Sequence, residues 1–223
     1  MSNAHGSWLN PHQVFLRCAL ALVRGYKARR IGLSQLKEIL LNLERFHFVF
    51  TAICSSRASG IDGKYSKAAR DFEACTTKAK VSKAAKDLTQ FLKDKYPKEA
   101  VFTSNFSKLS YTKQQQKDKK IIQYYFKRLE ESSMESQELR VNAITLEHIV
   151  PQSDKRGKLF VGMMGNLLPL DQKFNGDADS LKLQDKLVHY KKSKLSIVKD
   201  FVGTARRSPS SSQSAGPPHW SST

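Results

Sequence analysis

Thr145-Leu-Glu-His-Ile-Val-Pro-Gln152 and Met164-Gly-Asn-Leu-Leu-Pro-Leu-Asp-Gln-Lys-Phe-Asn175 decide how this chain reads. Ile144, Leu146 and Ile149 surround Glu147 and His148 with the β-branched and apolar residues of a short, partly buried strand. Residues 152–157 are polar, and residues 159–170 return as a second apolar run broken by Gly162 and Gly165. Ser180 opens a lysine-rich helical pattern. Strand, loop, strand and helix, with polar residues at the joints, predict a compact platform for one metal ion and one phosphate.

Upstream, the pattern is helical. Asn10-Pro11 can cap and start a helix that runs to about Arg24-Gly25. From Ser34, the residues Leu36, Ile39, Leu40, Leu43, Phe46, Val49, Phe50 and Ile53 recur at three- and four-residue steps, one apolar stripe on one helix. His47 lies within that stripe and is assigned no function. Residues 64–79 and 81–96 read as two more helices, the second stopped by Pro97. Residues 101–111 read as a short apolar connection docked into the helical core. A helix over 114–131 is predicted to turn Ile121, Ile122, Tyr125 and Leu129 inward and Lys117, Lys119, Lys120 and Lys127 outward. After the motif, Leu183, Leu187, Tyr190, Leu195 and Val198 give helical spacing to the last folded element. From Gly203 onward nothing offers an apolar face, so disorder is predicted. The expected fold is mainly α with a small strand–loop–strand–helix module, an α+β arrangement. Its expected parts are a flexible end over 1–9, a helical domain over 10–138, the module over 139–202 packed on it, and a tail over 203–223.

A chain of 223 residues can bury a sizeable core. Its 38 Lys+Arg against 20 Asp+Glu leave a formal charge of +18, which attracts a polyanion such as nucleic acid or an anionic membrane surface. A solubilising charge excess explains the same number equally well. The apolar run 14–23 is interrupted by Arg17 and is shorter than the ~20 residues of a spanning helix. Cys18, Cys54 and Cys75 are odd in number and far apart, which argues against a disulfide framework or a structural zinc site and for a reducing cytoplasm.

The motif residues suit phosphodiester hydrolysis. A neutral imidazole can take a proton from water near pH 7, and a divalent cation can neutralise developing charge. His148 alone reads as a strand-end histidine bonded to a loop; beside Glu147 and the two asparagines it reads as a general base. Glu147 offers a carboxylate to a metal or to a surface lysine. Asn166 can brace its own turn after Gly165. Asn175 can ligate a hard cation or cap a helix, with Asp177 and Asp179 as alternative ligands. Lys182 and Lys186 lie one helical turn apart.

The ordered set Glu147-His148-Ile149-Val150-Pro151-Gln152, Gly165-Asn166-Leu167, Asn175, then Lys186, Tyr190 and Ser193, resembles the HNH, or ββα-metal, nuclease superfamily. The resemblance is closest to the domain at the C-terminus of GmrSD-type modification-dependent restriction proteins. It covers about residues 142–200, with a weaker similarity upstream at Tyr124-Tyr-Phe-Lys-Arg-Leu-Glu130. The chain departs from the common pattern in having Glu at 147 for Asp and Asn at 175 for His.

The resemblance implies a DNA endonuclease in which His148 and Asn166 are catalytic, the latter by orienting the histidine. Glu147 and Asn175 would hold Mg²⁺ or Mn²⁺, while Lys186, Lys182 and Lys173 would hold the DNA backbone. It implies 5′-phosphate and 3′-hydroxyl products and a role in restriction of foreign or modified DNA. It also implies a nucleotide-binding, GmrS-like partner. No G-x-x-x-x-G-K-[ST] loop is present, so that partner is expected on a separate subunit or domain. Two other classes are compatible with the sequence: an inactive basic DNA-binding module, and an RNA-binding or scaffolding protein. The lack of an aromatic RNA-stacking motif counts against the latter.

Overall fold

Amphipathic helices dominate the computed structural model, which describes residues 11–56, 60–133, 144–154, 159–171, 181 and 183–207. The chain divides into two compact units, residues 1–103 and 104–223. The first holds α1 (Pro11–Lys27), α2 (Leu33–His47), α3 (Ile61–Ala74) and α4 (Lys78–Asp94). The stripe expected from Ser34 onward is buried at Leu36, Ile39, Leu43, Phe46, Phe50 and Ile53. Its last turns, Phe48–Ile53, widen into a π-helix, in which Cys54 N–H donates to the Val49 carbonyl at 3.0 Å. Cys18 and Leu22 from α1, Tyr65 and Phe72 from α3, and Val81 and Leu88 from α4 complete that core. His47 is structural: its Nε2 lies 2.8 Å from the Tyr65 hydroxyl and its ring packs edge-on to Phe15.

Residues 101–111 differ from expectation. Glu99–Phe106 forms a helix, α5, with no buried residue, and only Leu109 beyond it enters a core. Phe106 instead lays its ring edge-on to Tyr125, 5.1 Å away, on α6 (Lys119–Ser133). The inward face of α6 is Ile122, Phe126 and Glu130, whereas Leu129 is exposed. A buried carboxylate takes the place expected of leucine because it serves the last helix. Glu130 accepts from Ser196 N–H at 2.6 Å, Ser196 Oγ at 2.9 Å and Ile197 N–H at 3.2 Å. Three donors offset the cost of removing the carboxylate from water, and two of them are N–H groups that a helix start leaves without partners.

The strands β1 (Ile144–His148) and β2 (Leu167–Asp171) pair antiparallel, with Glu147 opposite Leu168 and His148 opposite Leu167. The second apolar run is strand only over that last part. Residues 159–162 form turns with Leu159 91% exposed, and Met164–Asn166 is a 3₁₀ turn leading into β2. The single C-terminal helix expected from periodicity is two, α7 (Leu183–Tyr190) and α8 (Ser196–Arg207). Buried Ser193 makes the break by accepting from Leu195 N–H at 3.2 Å. Helix α8 also carries the ordered chain past Gly203, against the expectation of disorder from that residue on; Val202 is buried and Thr204 Oγ1 donates to the Asp200 carbonyl at 3.0 Å.

The fold is thus mainly α with a two-stranded sheet. The expected domain joint at 138/139 lies outside the described residues, as do the N-terminal end over 1–9 and the tail beyond 207. The structure puts α6 in the same compact unit as the strands. No described helix is long and apolar enough to cross a membrane.

Candidate active site

Successive residues of a strand point to opposite faces, so Glu147 and His148 leave β1 on different sides. Both faces are covered: Glu147 is 2% exposed and His148 4%. On the histidine side lies a segment far upstream. Tyr111 stacks its ring on the His148 imidazole at 5.5 Å, and its carbonyl lies 2.9 Å from His148 Nε2. That segment is fixed to the loop before β2. Tyr111 N–H donates to the Gly162 carbonyl at 2.8 Å, and Ser110 bridges Met163. A Cβ on Gly162 would meet Thr112 Cγ2 at 3.0 Å and the Tyr111 carbonyl oxygen at 3.3 Å, so the two chain segments approach closely where this residue has no side chain.

Asn166 ties the connecting loop together from within. Its Oδ1 accepts from Val150 N–H at 2.8 Å, while Nδ2 donates to the Val150 carbonyl at 3.1 Å and the Val161 carbonyl at 2.8 Å. Ile149 N–H donates to the Asn166 carbonyl at 2.9 Å, which continues the strand pairing one residue past His148. Asn166 is 6% exposed, and its side chain bonds the main chain of the loop that carries the histidine. It therefore holds the loop that follows His148.

On the opposite face, Lys186 of α7 is fully buried. Its Nζ donates to Glu147 Oε1 at 2.5 Å and to the His148 carbonyl at 2.5 Å. Tyr190, one turn on, directs its hydroxyl at the same carboxylate oxygen from 3.5 Å. Burial pushes the Tyr190 phenol pKa up, and the Glu147 charge and hydrogen bond raise it further. This arrangement corrects the expectation for Lys186: an ammonium enclosed between a carboxylate and a carbonyl is not available to a DNA phosphate. The lysine pins the histidine's main chain from behind. Spacing places Lys186 on a helix face, but only packing can say that the face is inward.

The expectation for Glu147 changes with it. Oε1 is neutralised by a buried ammonium, and a metal ion at this carboxylate would face that like charge. Among the described residues no group of three or more His, Cys, Asp or Glu is gathered to hold a metal. Of the two ligands that the resemblance implies, Glu147 lies among the described residues, and it is engaged by Lys186. Asn175, Lys173, Lys182, Asp177 and Asp179 lie outside the described residues. Of the expected site residues, the structure brings together His148, Asn166, Glu147 and Lys186. It adds Tyr111, Gly162 and Tyr190. The local signal for Tyr111 is weak, an aromatic at the end of an apolar stretch whose role comes from its carbonyl.

Residues 96–213, more than half of the 223-residue chain, match the family described as GmrSD restriction endonucleases, C-terminal domain. The match begins near the start of the second compact unit and takes in Tyr111 as well as both strands and α7. No curated protein matches the chain.

Proposed function

The chain belongs to the family of GmrSD restriction endonuclease C-terminal domains, and on that premise we propose that it is a divalent-metal-dependent endonuclease of the HNH type acting on DNA. Membership supports a nuclease role of the restriction-endonuclease type with DNA as substrate. The observation that carries the finer reading is the setting of His148. Its Nε2 faces a carbonyl at 2.9 Å, and its loop is held by Asn166 on one side and Lys186 on the other.

In this reading His148 is the general base. A water molecule gives a proton to the imidazole as its oxygen bonds to phosphorus. The bond from phosphorus to the 3′-oxygen then breaks, and that oxygen takes a proton from solvent. The products are a 5′-phosphate and a 3′-hydroxyl. Lys186, Asn166 and Tyr111 keep the ring in place. Dependence on Mg²⁺ or Mn²⁺ belongs to the proposal; with Glu147 engaged by Lys186, no step is assigned to the ion. Restriction of foreign or modified DNA, a cytoplasmic setting and a separate nucleotide-binding, GmrS-like partner complete the reading.

The test is cleavage of supercoiled plasmid, plain and modified, by the wild type and His148→Ala with Mg²⁺, Mn²⁺ or EDTA. Cleavage should require the metal and fall by roughly 10²- to 10⁴-fold in the variant, the usual contribution of a general base. Equal cleavage by both proteins would exclude His148 as the base. A second reading, a basic DNA-binding module that does not cut, is favoured by the Glu147–Lys186 pair. DNA binding without cleavage under every metal condition, also with the nucleotide-binding partner added, would identify it.

A further inference from the structure

Gln152 stands four residues after His148 in the loop and has no part in the mechanism above. Its Oε1 accepts from Lys113 N–H at 3.0 Å, and its Nε2 lies 3.4 Å from His148 Nδ1. The chemistry of the partners fixes which end of the amide is which. A main-chain N–H can only donate, so the amide oxygen must face Lys113, and the NH₂ group must then face the imidazole. The other side of the ring is constrained in the same way. The Tyr111 carbonyl can only accept, so His148 Nε2 must carry a hydrogen. In a neutral ring Nδ1 then holds the lone pair, the atom to which the Gln152 amide points.

We propose that Gln152 is a positioning residue for His148: tethered by the Lys113 main chain, it holds the imidazole with Nε2 protonated and Nδ1 as the basic atom. This rests on His148 being the general base. Both contacts come from one upstream turn. Tyr111 supplies the acceptor for Nε2, and Lys113 orients the donor for Nδ1. At 3.4 Å the amide-to-ring contact is longer than an ordinary hydrogen bond. It orients the lone pair while leaving it exchangeable for the O–H of an attacking water.

Nitrogen-15 NMR of the histidine rings in the full chain, at an alkaline pH where imidazole is neutral, reads the proposal directly. His148→Ala identifies the resonances. The wild type should show a protonated Nε2 and a bare, hydrogen-bonded Nδ1. Gln152→Met, which keeps the length but removes the donor, should shift the Nδ1 resonance and leave Nε2 protonated. Single-turnover plasmid cleavage should fall by roughly 10- to 100-fold, as when an outer partner of an active group is removed. A wild-type ring with its proton on Nδ1, or an Nδ1 resonance unmoved by Gln152→Met, would overturn the proposal. If the wild type cuts no DNA with the nucleotide-binding partner added, the nuclease reading fails, and the ring spectra still decide whether Gln152 engages Nδ1.

Discussion

Lys186 reverses its expected meaning at the scale of one residue. Its position and charge suit a phosphate, yet its ammonium is enclosed by Glu147 Oε1 and the His148 carbonyl. A buried pair of this kind is costly to break from one side, because the remaining charge stays out of water without a partner. Lys186→Met should therefore destabilise the protein by about 3–5 kcal/mol in urea unfolding. Adding Glu147→Gln should restore much of that stability by removing the orphaned charge. An unchanged midpoint in Lys186→Met would show that the pair does not hold the fold. Glu147 and Asn166 illustrate the two grades of legibility. The asparagine's bracing role is readable because it is local, joining residues 150, 161 and 166 of one loop. The glutamate's role is not, since its partner arrives from a helix nearly forty residues away.

Among the elements, the least expected connection is that between α6 and α8. Glu130 reaches from the end of α6 to the first N–H groups of α8, doing for another helix what a capping side chain normally does for its own. Glu130→Ala should cost about 1–3 kcal/mol, since it leaves buried donors without their charged acceptor. Glu130→Gln should cost less because one oxygen remains. The comparison of thermal midpoints decides the point; a Glu130→Ala protein as stable as the wild type would mean that water replaces the carboxylate. Periodicity foresees a helix here and cannot foresee this face. A charged residue at an inward position reads as solvent-facing until its hydrogen-bond partners, sixty-six residues away, are known.

For the whole molecule, charge is the property that matters most. A formal +18 is spread over both compact units, and the burial of Lys186 takes one expected phosphate ligand out of play. In the first unit, Lys80, Lys83, Lys86 and Lys93 of α4 are exposed, and Val81, Ala84, Leu88 and Leu92 are buried on the opposite face. With DNA as the substrate of the family, that ridge is the place to look for sequence-independent binding of the phosphate backbone. Affinity should fall steeply with salt. Lys83→Gln with Lys86→Gln should reduce the slope of log K against log salt by about 0.9 for each phosphate that the variant no longer neutralises. A slope equal to the wild type's, measured by fluorescence anisotropy over a range of salt, would place the phosphate-binding lysines elsewhere.

The sequence by itself determined the helical stripes, the strand–loop–strand frame around His148 and the membership of a nuclease family. The stripes and the frame depend on neighbours within a few residues, through helical and strand periods and an asparagine bonding its own loop. Tertiary structure alone decided what surrounds the histidine. Tyr111 comes to it, and Lys113 to its neighbour Gln152, from before α6; Lys186 comes to its carbonyl, and Tyr190 to Glu147, from after β2. Strand alternation sends Glu147 and His148 to opposite faces, and what covers each face depends on how distant segments pack. A motif names the groups at a site. Their protonation, their partners and their access to a ligand are set by chain segments that the motif does not contain.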